Sequence, residues 1–136
     1  MDFLKSIAIA ASGLRAQAGR MRVIAENVAN ADSTAQRPNG DPYRRKIVSF
    51  RSEMDRTLEA RVVALGRVQT DPTDFRLKYE PGHPAADANG NVKYPNVNSL
   101  VEMTDMREAQ RSYEANINVI SATRRMLQRT IEILKA

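Results

Sequence analysis

Apolar and polar residues follow three regimes along this chain, periodic at both ends and irregular between them. Over the first thirty residues, Leu4, Ile7, Ala11, Leu14, Ala18, Met21, Ala25 and Val28 recur at alternating steps of three and four, which predicts a helix with a heptad stripe. Several members are Ala, so a partner helix can approach closely. At about 1.5 Å per residue, a helix over residues 3–30 is roughly 40 Å long. Gly13 and Gly19 weaken it, each by about 1 kcal/mol relative to Ala. The segment is therefore expected to be marginal until something packs on it.

The same rhythm returns from Ser99 onward, with Met103, Met106, Gln110, Tyr113, Ile117, Ile120, Arg124, Leu127, Ile131 and Leu134. Asn98 or Ser99 is placed to cap this second helix, and Glu102 stands three residues after Ser99, as a capping box requires. Its length is expected to be on the order of 50 Å. Gln110 and Arg124 interrupt the stripe, and polar residues at such positions set register or partner number at some cost in stability.

Between the helices the periodicity stops. Asp32-Ser33-Thr34, Arg37-Pro38-Asn39-Gly40-Asp41-Pro42 and Asp71-Pro72-Thr73-Asp74 supply turn formers at short intervals. Strand-like stretches fall at 43–50, 61–69 and 75–79, and Asn89-Gly90 suggests a tight hairpin turn. Residues 80–84 and 94–98 are expected to be ordered loops. The expected fold class is thus mainly α with a small β-rich middle: an antiparallel, coiled-coil-like pair of long terminal helices around a central loop and β-hairpin region. The corresponding segments are 1–34, 35–98 and 99–136.

Such narrow stripes bury too little apolar area to offset about 1–2 kcal/mol of backbone entropy per residue. Lateral contacts with further copies are expected to supply the remainder. Composition agrees with helix seams: of 136 residues, 42% are hydrophobic but only 5% aromatic, and Trp is absent. A length in the single-domain range leaves room for one modest core.

The net charge of +5 is mild and mostly central. Arg44-Arg45-Lys46 is the compact basic run, and acidic residues are interleaved elsewhere. The run reads as a solvated strand face; a small nucleic-acid-binding module built on it is the alternative. The balance favours no nucleic acid among the partners. With no cysteine, disulfides and thiolate metal sites are excluded. Ile7 to Ala11 resembles a secretory signal core, but Asp2 accompanies Lys5 and the apolar spacing runs on past Ala10, so no cleaved signal peptide is expected. No run has the length to span a bilayer.

Candidate chemistry is sparse. His83 is the sole histidine, and neither a second His nor a Cys is present to complete a metal site; a loop histidine bonded to nearby backbone is the ordinary reading. Asp87-Ala88-Asn89-Gly90-Asn91 departs from a calcium loop in its glycine position and lacks the bidentate Glu. Ser12-Gly13-Leu14 lies in a helical context with no matching base. Glu102 and Asp105 are read as a polar helix face, solvated or bridging to another subunit. No catalytic, cofactor-binding or metal residue is therefore expected, and a hydrolase using His83 with a carboxylate is the enzymatic alternative.

Two stretches carry a family resemblance. Ala11-Ser12-Gly13-Leu14-Arg15-Ala16-Gln17 and the run Val23 to Thr34 closely resemble the N-terminal signature of flagellar rod and hook axial proteins. Asp41 to Lys46, Gly82 to Gly90, Lys93 to Asn98 and Glu102 to Arg107 look like proximal rod subunits, and Arg111 to Asn116 is similar to the shared C-terminal motif of axial proteins. The stretch Arg37 to Gly40 departs from the more Gly-rich loop of that family.

The resemblance implies a structural subunit without catalysis or cofactor, exported unfolded through the flagellar type III apparatus. It would assemble in the periplasm with copies of itself and other rod proteins into a helical tube that transmits torque. Both terminal helices would form the inner layer and the middle an outer β-rich piece. Asn27, Asn30, Arg111, Tyr113 and Asn116 would then act in packing and register. With the stripe residues Leu4, Ile7, Ala11, Leu14, Ala18, Met21, Val28, Met103, Met106, Ile117, Ile120, Leu127, Ile131 and Leu134, they form the expected assembly interface. Another rod or hook-base subunit is the nearest alternative.

Overall fold

The computed structural model describes residues 2–136, with a helix at each end, α1 (Phe3–Ala29) and α2 (Ser99–Lys135), and six short strands between them. The strands are β1 (Lys46–Ile47), β2 (Phe50–Asp55), β3 (Ala60–Leu65), β4 (Gln69–Thr70), β5 (Arg76–Tyr79) and β6 (Asn91–Tyr94). They form three separate antiparallel ladders, β1 with β4, β2 with β3 and β5 with β6. The expected class, mainly helical with β-hairpins between the helices, is the observed one.

Helix α1 starts at Asp2, whose Oδ1 accepts from the amides of Leu4 and Lys5 at 3.1 and 3.2 Å; this satisfies donors that a helix N-terminus leaves open. Asn98 caps α2 in the same way, accepting from Leu100 at 3.1 Å and from Val101 at 3.4 Å. The capping box does not form. Glu102 is 1% exposed and turns its carboxylate to Arg45 and Asn27.

The chain divides into two compact units. The first holds residues 2–21, Ser49–Gly66 and Arg107–Ala136. Here the helices run antiparallel: Gly13 faces the side chain of Asn116, while Arg20, further along α1, lies 3.7 Å from Glu108, further back in α2. Ala10, Ser12, Ala16, Ala109 and Thr123 are buried, so small side chains dominate this packing. The β2–β3 hairpin leans on α1. Ser12 Oγ accepts from the Val63 amide at 3.1 Å, Leu65 lies against Gly19, and Arg20 stands over the Phe50 ring at 6.0 Å.

The turn of that hairpin, residues 56–59, is set by Asp55, whose Oδ1 accepts from the amides of Thr57 and Leu58 at 2.9 and 3.1 Å. It closes with Glu59 at a φ of 49°. Beyond Phe50, strand β2 lies in a stretch where sequence pattern signals no strand. Its residues are mostly exposed on both faces, so no alternation marks it.

The second unit holds Arg22–Val48 and Arg67–Met106. Its core is Val23, Ile24, Ala31, Ala85, Val92 and Val97, with the polar Asn27 and Glu102 buried among them. Asn89-Gly90 is not a two-residue hairpin turn. It ends the long loop between β5 and β6, where Asp87 Oδ1 accepts from the amides of Asn89 and Asn91 at 2.9 Å each. Gly90 has a φ of 81° and the ring of Tyr79 presses where a Cβ would stand, which is why a glycine is needed there.

Candidate assembly surface

The buried face of α2 is a single line. Glu102, Ala109 and Thr123 are buried and Asn116 is half-buried, at the heptad interval that keeps one face inward. Arg107, Arg111, Arg125 and Arg129 are all exposed, and residues eighteen apart share one direction because about five turns separate them. This basic line lies almost opposite the buried one. On the flanks between them, Val101, Val119, Met126 and Ile133 are exposed on one side, Met103, Ile117 and Ile131 on the other. Helix α2 thus carries apolar side chains in three directions, and the chain itself covers one.

Helix α1 shows the complementary disposition. The residues that meet α2 within a unit are Gly13 and Arg20 in the first and Asn27 in the second. At about 100° per residue, the stripe from Leu4 to Val28 lies on the far side of the helix from that seam. Leu4 is 72% exposed and Ala18 and Ala25 are also exposed, while Ile7, Ala11, Leu14, Met21 and Val28 are half-buried. Small and polar residues, rather than the stripe, form the internal seam.

Of the other expected interface positions, Asn27 is buried, and Asn30, Met106, Tyr113, Asn116, Ile120 and Leu127 are half-buried. Met103, Arg111, Ile117, Ile131 and Leu134 are exposed, Leu134 at 81%. Asn30 closes α1 on itself, its Nδ2 donating to Glu26 O at 2.9 Å and its Oδ1 accepting from Ser33 Oγ at 3.1 Å. Asn116 Nδ2 donates to Ser112 O at 2.9 Å, which holds its amide above Gly13.

The basic run is not a solvated face. In the second unit, Arg45 pairs with Glu102 through Nε and with Asp71 through Nη1 at 3.1 Å; Asp105 lies 3.9 Å from Nη2. Lys46 pairs with Glu26, and Arg44 donates to the Asp71 and Thr73 carbonyls at 2.9 Å while stacking on Phe75 at 4.1 Å. Nor does Glu102 belong to a polar surface, since it receives both Arg45 and, at 3.2 Å, Asn27 Nδ2. Asn27 binds the backbone of Lys46 twice, donating to its carbonyl at 2.8 Å and accepting from its amide at 2.9 Å, and also accepts from Tyr43 OH at 2.8 Å.

Burial, followed by the Glu26 and Glu102 carboxylates, pushes the Tyr43 phenol up to about 12. Bonds from Thr73 and then the Arg45 guanidinium hold the Asp71 carboxyl below its ordinary value. Arg45 loses solvation by burial, but its bonds to Glu102 and Asp71 outweigh this and raise its pKa. Sequence reasoning missed this network. Its one available signal is the concentration of charge in Arg44-Arg45-Lys46 beside Tyr43, and spacing does not say where the opposite charges lie.

His83 is held within its loop. Nδ1 accepts from the Ala85 amide at 3.0 Å, and Nε2 lies 3.3 Å from Thr34 Oγ1. Among the described residues, no helix is long and apolar enough to cross a membrane.

Comparison with known proteins gives this arrangement its context. Residues 7–35 match the family described as flagella basal body rod protein, and residues 88–133 match flagellar basal body rod FlgEFG protein C-terminal. The chain is 53% identical over 128 residues to a flagellar basal-body rod protein FlgC of Agrobacterium fabrum, covering 94% of this chain and 92% of that protein. It is 41% identical to the FlgC of Salmonella typhimurium over 133 residues, 98% of each chain. With the FlgC of Bacillus subtilis the identity is 39% over 150 residues, covering 99% of this chain and 100% of that one. Similarity at this level over nearly the whole length places the chain in the flagellar basal-body rod protein FlgC family.

Proposed function

We propose that this chain is a structural subunit of the bacterial flagellar basal-body rod, joining its neighbours through the apolar lines that its own fold leaves open. The observation that carries this reading is the two exposed apolar flanks of α2, with Leu4, Ala18 and Ala25 exposed on the stripe of α1. Helices with uncovered apolar lines on more than one side suit heterologous contacts, which build a helical filament when they do not close a ring. Segments 1–34 and 99–136 serve as the inner helical layer and 35–98 as the outer piece. The partners are further copies and other rod proteins, the assembled tube transmits torque, and the chain has no catalytic role. Export unfolded through the type III apparatus and assembly in the periplasm complete the reading.

Val119→Asp tests it, with Asn118→Asp on the exposed polar face as control. Both variants are expected to accumulate and fold like the parent, because surface changes away from special features shift stability by roughly 0.5 kcal/mol or less. Cells carrying Val119→Asp should be non-motile and lack completed rods in isolated basal bodies, whereas Asn118→Asp supports both. Normal rods with Val119→Asp would contradict the proposal.

A further inference from the structure

In the second unit, α1 and α2 meet at a carboxylate that neither helix neutralises. Glu102 is 1% exposed, and α1 offers it only the neutral amide of Asn27, at 3.2 Å. Its positive partner is Arg45, from the central segment. That segment is itself held in place by the two bonds from Asn27 to Lys46, by Asn96 Oδ1 accepting from the Arg45 amide at 2.8 Å, and by the Asp71 amide donating to the Arg45 carbonyl at 2.8 Å.

A buried carboxylate without a cation is strongly disfavoured, and removing one member of a buried pair costs far more than replacing both by apolar groups. We infer that Arg45 and Glu102 form a latch that makes pairing of α1 with α2 in this unit conditional on docking of the segment 43–48. Until Arg45 arrives, an ionised Glu102 resists burial against α1. Once it arrives, the same contact pins the segment through Asn27. Lys46 does not substitute for Arg45, because its ammonium is engaged with Glu26. Arg45 acts as a positioning residue, since its guanidinium joins Glu102 of α2 to Asp71 ahead of β5.

The test is residue-resolved amide exchange on the full chain, comparing the parent with Arg45→Met and with Arg45→Met/Glu102→Met. In Arg45→Met, exchange is expected to accelerate by about tenfold or more, jointly at 22–29, 43–48 and 99–106, while 10–20 and 109–120 keep their protection. In the double variant, with the buried charge gone, protection returns at 22–29 and 99–106 although Arg45 is still missing. That recovery is the signature of a latch, because a merely structural contact would leave the helix segments loose in both variants. The inference is overturned if Arg45→Met leaves both helix segments protected. It is equally overturned if the double variant fails to recover them, including by failing to fold.

Discussion

Gly13 of α1 lies so close to Asn116 of α2 that a Cβ at position 13 would stand 2.9 Å from both heteroatoms of the amide. Asn116 has little freedom to yield while its Nδ2 bonds Ser112 O. A glycine that costs about 1 kcal/mol in a helix interior is therefore explained by close approach.

From this pair a double-mutant cycle follows. Gly13→Ala is expected to bring no net stability to the parent, because the amide must be displaced. In an Asn116→Ala background the same change should stabilise by about 1 kcal/mol, the full difference in helix propensity. Urea unfolding of the four proteins measures it, and a full-sized gain in the parent would show that the amide does not press on position 13.

Tyr43 gives a prediction at alkaline pH. Its phenol is raised in the fold from 10.0 to about 12, so the stability it contributes is fully present below pH 10 and is lost as pH rises through the folded value. Tyr43→Phe lacks this titration. Its stability should be lower by about 1 kcal/mol at neutral pH, the worth of one hydrogen bond whose acceptor keeps another donor, and should fall less steeply between pH 10 and 12. Denaturant midpoints across that window read the difference, and parallel curves would refute it.

Ser12 ties the edge of β3 to α1 through the Val63 amide. Ser12→Ala is expected to leave helix content intact while exchange at the Val63 amide rises about tenfold, as local opening of that edge becomes easier. Unchanged protection at Val63 would mean the strand is held by its partner β2 alone.

Glu59 closes the β2–β3 turn in a left-handed conformation that costs a non-glycine residue roughly 1–2 kcal/mol. Glu59→Gly relieves that strain while widening the unfolded ensemble, so a net gain of about 0.5 kcal/mol is expected. Thermal unfolding of the variant, with a midpoint raised rather than lowered, is the check.

The helices were legible because a three-and-four spacing and a cap at Asn98 are local signals. Less of the seam could be read. Periodicity marks a face that needs covering, but Leu4 to Val28 carry no sign of what covers them, and the residues that do pair within the chain are the small or polar Gly13, Arg20 and Asn27, which a count of apolar positions passes over. Glu102 misled for a related reason: its offset from Ser99 fits a capping box, and an offset holds no information about burial against Arg45. Strand β2 escaped because a hairpin open on both faces needs no alternation. The Asn89-Gly90 turn was recognised as a turn, but the ladder it serves is closed by the whole loop from Glu80, which no dipeptide can announce.

Asn27 donates through its nitrogen to Lys46 O and Glu102, and accepts through its oxygen from Lys46 N and Tyr43 OH. Every hydrogen and lone pair of the carboxamide is thereby engaged, and only a side chain carrying both a donor pair and an acceptor pair at that length fits. Aspartate, the same size and shape, would turn the donor end into a second acceptor and set it against the carboxylate of Glu102. Hydrolysis of this one amide to the acid, a change of a single mass unit, would thus convert a junction of three segments into a repulsion between two of them.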